Sequence, residues 1–158
     1  MAAAGFAQPS PRNKVGKRRR DLMKRKLDVL TAADFDVPTM IVVVNRYWDP
    51  KGHRPSLEDC ARGYWYVGTS GCGKAYKCKR LLASYNGEVV GVYEIDQSKS
   101  WMDSSQYVKK TWPDDRPKSP KRRACELLPV PTAVRAKYLH CSTAGLIRPR
   151  SEKAYYGL

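Results

Sequence analysis

The chain has 158 residues, 42% of them hydrophobic, and carries 30 Lys and Arg against 15 Asp and Glu, a formal net charge of +15. That length suits one domain with an extension, and the cation excess, with an isoelectric point near 9.8, points to a polyanion partner, nucleic acid ahead of an anionic membrane surface. No run approaches the roughly 18 apolar residues of a membrane span, and MAAAGFAQPSPRNK lacks the apolar centre of a secretory signal. Five cysteines, odd in number and without a CxxC pair, argue against a disulfide framework and for a reducing cytoplasm.

Residues 1–13 are small, Pro-containing and aperiodic, which predicts disorder. Residues 14–37 read as a basic amphipathic helical extension: Val15, Leu22, Met23, Leu27 and Leu30 are spaced for a shared helical face, and the helix ends near TAADFD. Its cations are a solvated face, a nucleic-acid-contacting arm, or a face for a membrane or a calmodulin-like partner. The main domain is expected over 38–158. Thr39 to Arg46 is a continuous β-branched run bounded by Pro38 and DPKGHRP, a strand expected at the centre of a sheet. Ser56 is placed to cap a short helix, SLEDCA, with Asp59 at the capping-box position.

Arg62 to Val67 is a further strand candidate, followed by the loop GTSGCG and the basic stretch KAYKCKR. The loop is no phosphate cradle of the Walker type, because Ala75 stands where the magnesium-binding Ser or Thr belongs. The paired runs RLLASYN and EVVGVYEID predict a hairpin turning at Asn86-Gly87, where both residues tolerate positive φ. In the second run Val90, Val92 and Glu94 fall on one face while Val89, Tyr93 and Ile95 break strict alternation, so this strand should be buried on parts of both faces. A Pro-rich basic insertion covers 102–122. RACELLPV then reads as a strand, PTAVRAKYL as a short helix with Pro131 near its start, and Ala154–Tyr156 as a last strand.

Taken in order, IVVVNRYW, ARGYW, YNGEVVGVYEIDQSKSW and RRACELLPV with AKYL downstream resemble the PUA-like superfamily, which includes EVE, ASCH and YTH domains, over roughly residues 40–156. The resemblance implies an α+β fold: a small, mixed, strongly curved sheet or pseudo-barrel of five or six strands with short rim helices. It also implies a concave surface that accepts a nucleobase or a nucleic-acid strand. Arg62, Gly63 and Trp65 would line or support that pocket, with Tyr93 and Trp101 beside them and Lys137 and Tyr138 as the downstream basic-aromatic element. The basic insertion and the cationic N-terminal segment depart from the family pattern.

The residue chemistry suits such a role, since indole and phenol rings stack on bases and Arg contacts phosphates or guanine edges. Trp65 and Trp101 serve equally well as core aromatics of a small β-fold. Asn45 and Arg46, leaving the first strand, either read a base edge or satisfy a turn. The cations Lys17, Arg18, Arg19, Arg20, Lys24, Arg25, Lys121, Arg122 and Arg123 are assigned to phosphates. No cysteine or histidine spacing matches a zinc site, and neither metal nor cofactor is called for.

The leading expectation is therefore a non-catalytic module for RNA or modified DNA, with no membrane partner. One alternative is a small metal-dependent nuclease, because GYWYVG resembles part of the GIY-YIG motif, with Arg80 and one of Glu88, Glu94 or Glu126 in the catalytic roles. Against it, Tyr66 follows Trp65 with no connecting segment, and Arg80 opens a strand-like run rather than a helix. Another alternative is a ribosome- or nucleoid-associated protein whose basic tail does the binding on a β-scaffold.

Overall fold

The computed structural model describes residues 27–52, 56–68, 71–99, 101–103 and 121–158. The disordered stretch expected at 1–13, the helical extension up to residue 26 and most of the 102–122 insertion lie outside these residues. Seven strands are described: β1 (Thr39–Val43), β2 (Trp65–Tyr66), β3 (Arg80–Tyr85), β4 (Glu88–Ile95), β5 (Arg122–Arg123), β6 (Leu127–Pro129) and β7 (Lys153–Tyr156). Three helices accompany them, α1 (Leu57–Arg62), α2 (Lys74–Lys77) and α3 (Thr132–Tyr138). The fold is α+β. A mixed five-stranded sheet runs in the order β6-β4-β3-β1-β7, and β2 and β5 form a separate two-stranded ribbon. The large sheet does not close on itself among the described residues.

β1 and β3 run parallel, while β3–β4, β4–β6 and β1–β7 are antiparallel. The hairpin forms where Asn86 and Gly87 both take positive φ, 49° and 79°, the pairing of conformations that suits a tight two-residue turn. The broken alternation in β4 is a bulge: Ala83 pairs with Gly91 and Ser84 with Val89, leaving Val90 as the extra residue. Val90 therefore joins Tyr93 and Ile95 on one face, while Val89 and Val92 take the other. This corrects the face expected for Val90.

Both faces of the sheet are buried. Met40, Val42, Leu81, Ala83 and Ile95 pack under α1, α2 and the ribbon, with Cys60, Ala61, Trp65, Ala75, Trp101 and Cys125 as the covering layer. Ile41, Leu82, Val89 and Val92 pack on the opposite side against Leu30, Phe35, Tyr138 and Leu146. Gly91 is on the Tyr93 side of β4, and a Cβ there would sit 2.8 Å from the Tyr93 ring.

Several predicted elements are shorter than the sequence suggests. β1 ends at Val43 rather than Arg46, and is second from an edge, with β3 at the centre. The chain leaves the strand because the Tyr47 and Trp48 amides both donate to the Val44 carbonyl, closing a turn. Ser56 does cap α1, its Oγ accepting from the Asp59 amide at 3.2 Å. That helix continues through Arg62, so the expected strand over 62–67 is reduced to Trp65–Tyr66. RACELLPV divides into β5 and β6, and α3 follows Pro131 as expected. The described end of the basic extension is not α-helical. Val29 bridges Ser142, the Leu30 amide donates to the Ser142 carbonyl at 3.0 Å, and Ala32–Asp34 makes a single 3₁₀ turn.

Candidate nucleic-acid interface

The residues assigned to a base pocket do not come together. Trp65, Trp101 and Tyr93 belong to the packing beneath α1, α2 and the ribbon, whereas Tyr138 belongs to the opposite face of the sheet. Trp65 is 1% exposed and Trp101 4% exposed, so neither presents a ring face to a base, and the Trp65 indole donates to the Ala61 carbonyl at 2.6 Å. The stacking role expected of these indoles is replaced by a core role. Tyr93 is half-buried, and burial pushes its phenol up to about 12.

The polar members are engaged by the fold itself. Arg62 ends α1 and pairs with Asp59 at 3.0 Å and Glu126 at 3.3 Å. Gly63 is the buried C-cap of that helix with a negative φ of −114°. Asn45 exchanges bonds with Asn86, donating to its side-chain oxygen at 3.0 Å and accepting from its amide at 2.8 Å. Of the two roles open to Asn45, the turn is the one realised. Arg46 is exposed, 6.0 Å from the Tyr47 ring centroid. Lys137 is exposed too, 5.0 Å from the Tyr138 centroid and 3.9 Å from Asp36.

Tyr138 anchors a polar cluster at the start of β3. Its hydroxyl donates to the Asp34 carbonyl at 2.8 Å and lies 3.1 Å from Asp36 Oδ1. Arg80, 5% exposed, donates to Asp36 at 2.8 Å and to the Tyr138 hydroxyl at 3.3 Å. The Arg80 bond holds the Asp36 carboxyl below its ordinary value of 3.8. The carboxylates weighed for a nuclease are dispersed: Glu88 faces His140 at 2.7 Å, Glu126 pairs with Arg62, and Glu94 lies opposite Arg80 in the β3–β4 register. No three His, Cys, Asp or Glu side chains converge among the described residues. Cys60, Cys78 and Cys125 are buried free thiols, with burial raising Cys78 to about 12.

The cations are distributed unevenly. Residues 1–26 hold nine Lys and Arg against one Asp, and Lys17, Arg18, Arg19, Arg20, Lys24 and Arg25 all lie there, outside the described residues. The described residues hold sixteen Lys and Arg against twelve Asp and Glu, nearly balanced. Of the three remaining phosphate assignments, Lys121 and Arg122 lie on the outer side of the β2–β5 ribbon with Tyr66. Lys121 places its ammonium 5.8 Å from the Tyr66 centroid, and Arg122 is the register partner of Tyr66. Arg123 is half-buried, and its guanidinium donates to the Trp101 carbonyl at 3.3 Å. It supports the indole layer.

Tyr66, exposed on β2 beside Lys121, is a residue the sequence reading did not assign to the candidate interface. Tyr66 was legible in principle: consecutive strand residues point to opposite sides, so an inward Trp65 requires an outward Tyr66. Comparison of the chain with protein-family models, with curated proteins and with solved structures gives no match.

Proposed function

We propose that the chain binds nucleic acid, RNA or DNA, without acting chemically on it, gripping the phosphate backbone with cationic segments carried on a β-sheet scaffold. The observation that carries this reading is the partition of charge: nine cations against one anion in residues 1–26, beside described residues whose charges nearly balance. Such a concentration of like charge repels itself and is relieved by a polyanion, which releases its condensed counterions on binding. The sealed indoles and internally paired Arg62 and Asn45 favour backbone contact over a base-reading pocket. No observation favours the nuclease reading. We also propose the PUA-like relation as the finer description of the fold. The order of its motifs supports it, as does a mixed, bulged sheet covered on both faces.

The test is the salt dependence of binding for the full chain with a labelled mixed-sequence oligonucleotide. The logarithm of affinity should fall linearly with the logarithm of salt, with a slope of about −4 to −6 if six to nine phosphates are neutralised on a single strand. Affinity that is flat between low and moderate salt, or no binding at low salt, would overturn the proposal.

A further inference from the structure

The β2–β5 ribbon carries an aromatic ring that the core does not use. Trp65 fills the interior, and the next residue, Tyr66, is 46% exposed, the one aromatic among the large hydrophobic side chains that stand exposed in the described residues. Leaving half a phenol ring in water forgoes burial that a small fold could use. Cations surround it. Lys121 is held alongside because its carbonyl accepts from the Val67 amide at 2.9 Å and the Gly68 amide at 3.1 Å, and its ammonium lies over the ring. Arg122, opposite Tyr66, donates to the Tyr64 carbonyl at 3.0 Å and reaches Glu152 at 3.7 Å. Next to Glu152, Lys153 is half-buried in β7, opposite Val42 of β1.

The strand register also ties this patch to the root of the cationic segment. Val29 bridges Ser142, Ser142 bridges Glu88, and Glu88 pairs with Tyr85. Ser84, next to it, is level with Val43, whose amide donates to Glu152. This row crosses the hairpin end of the sheet in five strand spacings, roughly 24 Å. The chain thus enters the described fold at the same end of the sheet as Glu152, the partner of Arg122.

We infer that the ribbon is a stacking platform for one unpaired base of a single strand, with Tyr66 against the base and Lys121 beside a flanking phosphate. The inference rests on the nucleic-acid reading above and narrows it to single strands. A base can lie on a surface phenol only when its own face is free, and duplex bases are already stacked on both sides.

The experiment uses the full chain and three labelled probes over one shared salt series: a thymidine 12-mer, an abasic 12-mer and a 12-base-pair duplex. The wild type should prefer the thymidine strand to the abasic strand by about tenfold, the worth of one base-aromatic stack. Tyr66→Ala should erase that preference while leaving duplex affinity within about twofold, and Tyr66→Phe should keep it. Lys121→Gln should weaken both single strands alike and reduce the salt slope by about 0.7. A preference that survives Tyr66→Ala overturns the inference. So does a wild type that binds all three probes steeply with salt but without preference, a result that leaves the nucleic-acid reading intact. Failure to bind any probe overturns both.

Discussion

Trp65 and Tyr66 are neighbours in sequence and belong to opposite worlds. One is sealed under the ribbon, hydrogen-bonded to α1. The other stands in solvent under a lysine. A contrast of charge holds between the described residues, where Arg62, Arg80 and Arg123 are paired or donate inward, and the sequence of residues 1–26, where nine cations meet a single acid. A chain rich in tryptophan, tyrosine and arginine thus has the composition of a base reader, but composition does not choose between a pocket and a core. The side of the strand on which each ring emerges does.

Perturbing the interior should change stability and leave nucleic-acid affinity alone. The largest effect is expected for Trp65→Ala, which empties a fully buried indole site and should cost about 3–5 kcal/mol in denaturant unfolding. Weakened oligonucleotide binding by the fraction still folded would break the comparison. Tyr138→Phe removes a buried hydroxyl bonded to Asp34 and near Asp36 and Arg80. It should cost about 1–3 kcal/mol, read the same way, because Arg80, itself buried, loses one of its acceptors. Gly91→Ala pushes a methyl group toward the Tyr93 ring and should cost about 1–2 kcal/mol, the lower part of the overpacking range, since the far end of the ring can swing aside.

The smallest expected effect is a pH dependence. Asp36 has a folded pKa below its ordinary 3.8, chiefly through its bond to Arg80. The stabilisation it gives is therefore fully present above that ordinary value and is lost as pH falls through the folded pKa. The melting-temperature gap between wild type and Asp36→Asn should stay constant from neutral pH to about 5 and shrink below about 4. A gap that widens in acid would contradict the assigned pairing.

Much of the fold was legible in local pattern. The Asn86-Gly87 hairpin, the Ser56 cap, the β-branched run of β1 and the helix after Pro131 each rest on a few adjacent residues whose preferences agree. What was not legible depended on distance. The bulge at Val90 arises from how β4 meets β3, and the division of RACELLPV arises because Arg122–Arg123 pairs with β2 while Leu127–Pro129 pairs with β4. The candidate site suffered for the same reason. Arg62, Trp65, Trp101 and Tyr138 form a plausible set in one dimension, and only the sheet, by interposing itself between Tyr138 and the indoles, separates them. Lys121 and Arg122 were singled out as cations, but their place beside Tyr66 needed the ribbon in three dimensions.

The central claim, that contact with nucleic acid runs through surface charge and not through the indole layer, is tested most directly by two full-length variants measured beside the wild type in one low-salt buffer. In Trp65→Phe an aromatic still fills the interior. In the other variant Lys17, Arg18, Arg19, Arg20, Lys24 and Arg25 all become Gln. The account predicts oligonucleotide affinity within about twofold of wild type for Trp65→Phe and a loss of about a hundredfold or more, with a flatter salt slope, for the six-glutamine chain. An unchanged six-glutamine chain beside a Trp65→Phe variant that has lost its affinity would contradict it.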